Sequence, residues 1–332
     1  MIAPFTLHDL PLLKRLAKVH VALCPIEALT RPSSPLWTAL LSLWSLDEAR
    51  LSTFVLNEQG RDGRSMHGFA QVKQPSSRPE MYIQYMSPRL DADEDARAAW
   101  TRLLSHVAAA AGERGVQRIY ACAPDGTEEM EILLGAGFSV YCREEIFRLV
   151  PGAHPQAVAQ AGIRPEQSTD AWAISQLYRA TAPHLVQQAE SLAESDTIKW
   201  LCGPVAWNQG EGFVLEDQAG IAGYGFLMPG RTGHWLRFLV HSRAGDGGTV
   251  LLDHSLALLN YYPTHPVYCA VREYQGRLRA PLAERGFDLV SVQCRLVKHT
   301  TARIKEPARS LVPALEKRAE APTTTVSPTE GP

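Results

Sequence analysis

The sequence predicts an α/β fold, a mixed sheet with helices on its faces in the α+β manner, built as two tandem copies of one unit. Two observations predict it. First, the chain repeats itself. Met66-His67-Gly68-Phe69-Ala70 returns as Ile221-Ala222-Gly223-Tyr224-Gly225. RIYACA (118–123) returns as PVYCAV (266–271), GAGFSVY (135–141) as ERGFDLV (284–290), and IFRL (146–149) as CRLV (294–297). The blocks keep their order and stand about 150 residues apart, the mark of an internal duplication. Second, within each copy the hydrophobic period switches between two and 3.6 in the order strand, strand, helix, strand, helix, strand, which calls for a mixed sheet covered by helices.

Each element follows from its residues. MYIQYM (81–86) alternates and is rich in aromatic and branched side chains, so it reads as a strand. In 95–115 the apolar residues Trp100, Leu103, Leu104 and Val107 form a helical stripe, closed by Gly112 or Gly115. VQRIYACA (116–123) is a buried strand, and EEMEILLGAG (128–137) is a helix stopped by glycine. FSVY (138–141) and EEIFRLV (144–150) read as two strands. The second copy gives strands at GIAGYGFLM (220–228) and HWLRFLV (234–240), a helix at 248–262 and a strand at PVYCAV. A short helix at 277–286 follows, and FDLVSVQCRLV (287–297) is a strand pair or one long strand. The units are therefore 1–150 and 163–300, joined by a Pro- and Gly-containing linker at 151–162. Residues 301–332 are rich in Pro, Thr and charge and cannot bury a core. They read as a disordered tail with one helical turn around Leu311–Lys317.

Composition narrows the function. Hydrophobic residues make up 45% of the 332, enough for two cores, and 33 basic against 35 acidic side chains leave a net charge of −2. That balance argues against a broad phosphate-backbone contact, so no nucleic-acid partner is expected. No apolar stretch approaches the roughly 20 residues a bilayer requires, and no membrane partner is expected. His8 and Asp9 precede the first apolar run, and Lys14 and Arg15 follow it, the wrong order for a secretory signal. The six cysteines form no CxxC pair and read as reduced, buried thiols of a cytoplasmic protein. The histidines show no HxxH or HExxH spacing, so no metal is expected, and neither a GxSxG elbow nor a GxxxxGK[ST] loop occurs.

With this order of elements the chain resembles the GNAT superfamily of N-acyltransferases, over both copies. The resemblance is carried by the opening IRPEQSTDAWAISQLY (163–178), by the Leu-Leu pairs Leu103-Leu104 and Leu251-Leu252 that follow a strand and loop, and by the Gly-Phe steps Gly137-Phe138 and Gly286-Phe287. It implies two tandem GNAT-like folds, each with a sheet that splays to hold acyl-CoA. The family's diphosphate loop opens the long helix, where exposed N–H groups cradle the anion and glycine lets the backbone approach. In the second copy this stretch is Ser242-Arg243-Ala244-Gly245-Asp246-Gly247-Gly248-Thr249. Arg243 and Gly248 fall at the family's first and third positions. Asp246 replaces the middle glycine, flanked by Gly245 and Gly247. An aspartate there fits a cofactor loop only when turned away from the diphosphate, and it equally suits a helix cap. In the first copy the stretch Ser87–Arg97 has no glycine and carries Asp91, Asp93, Glu94 and Asp95, which would repel a diphosphate. That copy reads as degenerate.

The resemblance thus implies an acetyl-CoA site in the second copy, formed by Leu239 and Val240 at the strand end, by Arg243, Gly245, Gly247, Gly248 and Thr249, and by Tyr274 after the next strand. The family's general base often stands six residues before the end of that first strand. Those positions are Glu80 and His234, which equally suit an edge-strand charge and a packed histidine. The family's tyrosine acid would fall at Leu133 and Leu282, so neither copy keeps it. Gln187, Gln188 and Glu190 lie where the family places acceptor-binding helices, but read as a solvated helix face. The implied activity is acyl-CoA-dependent N-acetyl transfer by direct attack of an amine, on a small-molecule or peptide acceptor, by a monomer or homodimer. The alternative is an inactive GNAT-fold module that senses acyl-CoA or docks a protein partner.

Overall fold

The computed structural model describes residues 1–43, 49–59, 65–75, 79–152, 162–190, 210–259 and 264–300. The first half contains β1 (Ile2–Pro4), α1 (Leu10–Leu16), β2 (Val21–Ala22), α2 (Pro25–Thr30), α3 (Pro35–Ser42), β3 (Ala49–Gln59), β4 (Ser65–Pro75) and β5 (Glu80–Ser87). It continues through α4 (Ala96–Glu113), β6 (Arg118–Pro124), α5 (Glu128–Gly135) and β7 (Ser139–Leu149). The second half contains β8 (Ile163–Pro165), α6 (Ala171–Thr181), α7 (His184–Glu190), β9 (Glu211–Asp217), β10 (Gly220–Met228) and β11 (His234–Val240). Then come α8 (Gly247–Leu259), β12 (Val267–Arg272), α9 (Arg279–Glu284) and β13 (Asp288–His299).

The repeat has a packing reason. A Cβ on Gly68 would lie 3.0 Å from Leu103 Cδ1, and one on Gly223 would lie 2.9 Å from Leu251 Cδ1. The same glycine in each copy lets the crossover helix, α4 or α8, sit close on the sheet. Leu103, Leu104, Leu251 and Leu252 are all buried there, each worth about 1.5–3 kcal/mol. Gly137 and Gly286 stop α5 and α9 at φ 85° and 79°, a left-handed conformation that glycine takes without strain. Phe138 and Phe287 then turn into the core.

All strands join one sheet in the order β1-β3-β4-β5-β6-β13-β7-β12-β11-β10-β9-β8, with β2 beside β5. The pairs β5–β6 and β11–β12 run parallel, each bridged by its crossover helix, while their neighbours are antiparallel. The last strands change places. β13 lies against β6 of the first half, and β7 lies against β12 of the second. Cys294 and Leu296 of β13 therefore bury in the core under α4, and Phe147 and Leu149 of β7 bury in the core under α8. Each sequence unit completes the other's sheet.

This exchange explains where the strand boundaries differ from expectation. Residues 139–149 form one strand rather than two. The charged run Arg143-Glu144-Glu145 looks like a break, yet each finds a partner: Asp125 after β6 for Arg143, Arg237 of β11 for Glu144 and Arg279 of α9 for Glu145. Residues 288–299 form one long strand with irregularities at Leu289/Ser291 and Arg295/Leu296. The structure adds α1–α3 and the outer strands β3 and β9. Most of the linker, the whole tail and its helical turn lie outside the described residues.

Candidate functional site

Each parallel pair holds register for only three residues: Glu80–Tyr82 against Arg118–Tyr120, and His234–Leu236 against Val267–Cys269. Beyond these the strands part, leaving one wedge in each half. In the first wedge the chain's own Leu23 is inserted. Its N–H donates to the Gln84 carbonyl at 2.8 Å, and its carbonyl accepts from the Cys122 N–H at 3.0 Å, so one buried residue bridges β5 and β6.

The second wedge is built differently. A cavity of about 760 Å³ opens where β11 ends and α8 begins. Val240, Ser242, Gly245, Asp246, Gly248 and Thr249 form one wall. Tyr274, Gln275 and Arg277 form the opposite wall, with Ala180 and Thr181 of α6 at the side. The Val250 N–H donates to the Asp246 carbonyl at 3.1 Å, which makes Asp246 the residue that starts α8. The first N–H groups of a helix have no intrahelical partner and carry its positive end, so this wall offers an anion backbone donors. Gly245 holds φ at 53°, and a Cβ on Gly248 would lie 2.7 Å from Leu278 Cδ2, so the loop is drawn tightly onto the 3₁₀ turn at Glu273–Leu278.

Of the residues expected to hold a cofactor, Val240, Gly245, Gly248, Thr249 and Tyr274 line this cavity. Leu239 lines a small recess that adjoins its inner end. Gly247 is buried behind the wall, where a Cβ would lie 2.9 Å from Ala244 Cβ and from Leu215 Cδ2. Arg243 does not line the cavity. Its Nε donates to Asp217 Oδ2 at 2.8 Å and its Nη2 to the Ile221 carbonyl at 3.1 Å. Among the described residues the guanidinium on the cavity wall is Arg277, which donates to the Ser242 carbonyl at 3.1 Å. Asp246 is exposed and shares the cavity wall.

The two expected bases lie elsewhere. His234 is buried at the start of β11, about 20 Å along the strand from Val240, and its ring meets His265 edge-on at 5.8 Å. Glu80 is buried at the start of β5, where the Tyr82 hydroxyl donates to it at 2.9 Å and Arg118 stands 3.8 Å away. Neither lines the cavity. Leu282 is buried in the core.

Between cavity and core lies a group of charges of which the sequence points only to Glu190, and as part of a solvated face. Glu144 accepts from Arg237 at 2.9 Å, Gln293 at 3.1 Å and Arg295 at 3.3 Å. Burial opposes its charge, but Arg237, Arg295 and Arg272 outweigh it and hold the carboxyl at about 2. Glu190 of α7, fully buried rather than solvated, accepts from Arg272 at 2.7 Å and from the Tyr178 hydroxyl at 2.6 Å. Arg272 also donates to the Tyr274 hydroxyl at 2.9 Å. Burial pushes that phenol up to about 12, partly offset by Arg272. The available signal was an arginine inside each of two apolar strands, HWLRFLV and VYCAVR. Gln187 caps the Arg179 and Ala182 carbonyls. Cys202, one of the six cysteines, lies outside the described residues. Among the described residues no three potential ligands could hold a metal, and no helix is long and apolar enough to cross a membrane.

No family model and no curated protein matches this sequence. Solved structures do match its shape. A tandem GNAT protein from the clavulanic acid biosynthesis pathway, solved without AcCoA, is 15% identical, with 90% of this chain and 98% of that one covered at a TM-score of 0.53. A GCN5-related N-acetyltransferase from Sphaerobacter thermophilus is 13% identical, with 90% and 95% covered at a TM-score of 0.50. At these identities the likeness concerns the fold: the chain has the tandem GNAT fold.

Proposed function

We propose that this protein is an acyl-CoA-dependent N-acyltransferase whose second half holds the thioester. The observation that carries the reading is the cavity between the parted ends of β11 and β12, walled by the N-terminus of α8. The diphosphate would rest against the backbone of Gly245–Thr249, with Arg277 as its side-chain cation, and the pantetheine arm would run inward past Val240. An amine then attacks the thioester carbonyl, the new C–N bond forms, and the C–S bond breaks. Tyr274 is the proton donor that the inner wall offers to the leaving thiolate. Arg272 donates to its oxygen, which leaves the phenol hydrogen free to point at the sulfur. The amine's own proton passes to solvent through the open mouth. Acetyl-CoA is the simplest donor, and a small molecule or peptide amine the acceptor.

The second reading, an acyl-CoA-binding module without catalysis, is favoured by the remoteness of His234 and Glu80 from the cavity. Calorimetric titration of acetyl-CoA into the wild type and Gly248→Asp tests the first premise of both. Micromolar binding that weakens at least tenfold in a folded variant supports the site. Absence of binding to the wild type overturns both readings. Turnover with a panel of amines, lost in Tyr274→Phe while binding persists, then favours the enzyme.

A further inference from the structure

Beyond Leu236 and Cys269 the cavity narrows to a recess of about 10 Å³, lined by Glu144, Arg237, Ala270 and Arg272 among others. Tyr274 and Gln275 line both spaces, so the recess adjoins the inner end of the cavity. Arg237 is 4% exposed, and among the described residues only its Nη2 is engaged, with Glu144. Nε and Nη1 are buried and have no hydrogen-bond partner among those residues. Buried guanidinium N–H groups are ordinarily satisfied, because their desolvation is costly. The local charge is also uneven. Among the described residues the cluster holds three arginines, Arg237, Arg272 and Arg295, against two carboxylates, Glu144 and Glu190. Glu190 is committed to Arg272, and Glu144 is shared between Arg237 and Arg295, with Arg272 Nε 4.0 Å away. The outcome shows in the arginines themselves. Burial lowers Arg237, whereas partners hold Arg272 and Arg295 well above the ordinary value despite their burial.

We propose that the recess at the inner end of the cavity binds a carboxylate, one oxygen of which takes up the Arg237 donors that Glu144 leaves unmet. A volume of 10 Å³ is about the least that admits one water-sized atom, so the recess takes that single oxygen while the rest of the molecule stays in the larger cavity. A buried, undercompensated guanidinium discriminates strongly, since a neutral group of the same size leaves it unpaired. The carboxylate has two possible sources, the far end of a dicarboxylic acyl-CoA thioester or the carboxylate of an amino-acid acceptor. The inference deepens the acyl-CoA reading and rests on it.

The test uses the full-length protein. Acetyl-CoA and succinyl-CoA are titrated calorimetrically. In parallel, CoA release from acetyl-CoA is followed with an equimolar mixture of amino acids and with the corresponding amino-acid amides. A preference of tenfold or more for succinyl-CoA identifies the donor as the source, and the same preference for free amino acids identifies the acceptor. In Arg237→Gln that preference falls to about one. Should this variant fail to fold, Arg237→Lys, which keeps the charge but changes the donor geometry, lowers the preference several-fold. If acetyl-CoA binds and neither comparison discriminates, or if the preference survives both variants, the carboxylate inference is overturned while the acyl-CoA reading stands. If no thioester binds, both fall.

Discussion

The two wedges of this molecule have the same strand geometry and opposite contents. In the first half β5 and β6 part after Tyr82 and Tyr120, and Leu23 fills the gap with two backbone hydrogen bonds and a buried side chain. In the second half β11 and β12 part after Leu236 and Cys269. There Gln275 Nε2 spans to the Phe238 carbonyl at 2.7 Å, and a charged recess leads out to the cavity. One copy has closed its cleft with the backbone of Leu23; among the described residues the other is bridged by the Gln275 side chain alone, which also accepts from the Arg272 N–H at 3.1 Å, beside a recess lined with arginine. The comparison teaches that the parting of the strands is a property of the fold, whereas whether a ligand can enter depends on what the chain places between the parted edges.

The largest effect is expected from the charged wedge. Glu144→Gln leaves Arg237, Arg295 and Arg272 facing one another without their shared carboxylate. Removing one member of such a buried group costs about 3–5 kcal/mol, to be read from the denaturant midpoint at constant slope. The pH dependence sharpens the point. The Glu144 carboxyl is held at about 2, below its ordinary 4.5. Its stabilising contribution is therefore complete above about pH 4.5 and is lost as pH falls through about 2. Wild type should lose stability over that window, and Glu144→Gln should lose less. Equal acid sensitivity in both proteins would place the acid-labile group elsewhere.

The plugged wedge gives a smaller effect of a different kind. Leu23→Ala removes a fully buried side chain from the core under α4, at a cost of about 2–4 kcal/mol. Its backbone bonds to Gln84 and Cys122 persist, so the wedge stays closed. Affinity for acetyl-CoA should match the wild type, with a binding stoichiometry of one. A stoichiometry of two would break the comparison, because the first wedge would then be open to cofactor.

What the sequence made legible divides along the same line. The duplication, the Gly-aromatic and Gly-Phe steps and the helix stripes are local patterns, each with a local cause such as the approach of Leu103 to Gly68 or the left-handed stop at Gly137. The cavity wall at Val240, Gly245, Gly248 and Thr249 was legible because it follows one strand-to-helix turn in order. The exchange of β7 and β13 was not. Either strand has the pattern to pair with either copy, and the choice is made between residues some 150 positions apart. Leu23 was hidden for a related reason, since a single residue between two strands leaves no period. The arginine cluster draws on α7, β7, β11, β12 and β13, so no one segment announces it.

The smallest effect is expected at Arg243, where sequence position and structure give different roles. By position, the resemblance would make it the diphosphate cation. In the structure its guanidinium is turned onto Asp217 and the Ile221 carbonyl, on the outer face of the loop, and the cation on the cavity wall is Arg277. An exposed pair of this kind contributes little to stability and is screened by salt. Arg243→Ala should leave the denaturant midpoint within error and change acetyl-CoA affinity less than about threefold, while Arg277→Ala weakens it at least tenfold, the difference between an N–H donor set that keeps its cation and one that loses it. If the order is reversed, ligand binding draws Arg243 off Asp217. The open wedge would then share with the plugged one a loop that closes on whatever occupies it, and the contrast between the halves would be one of occupant rather than of architecture.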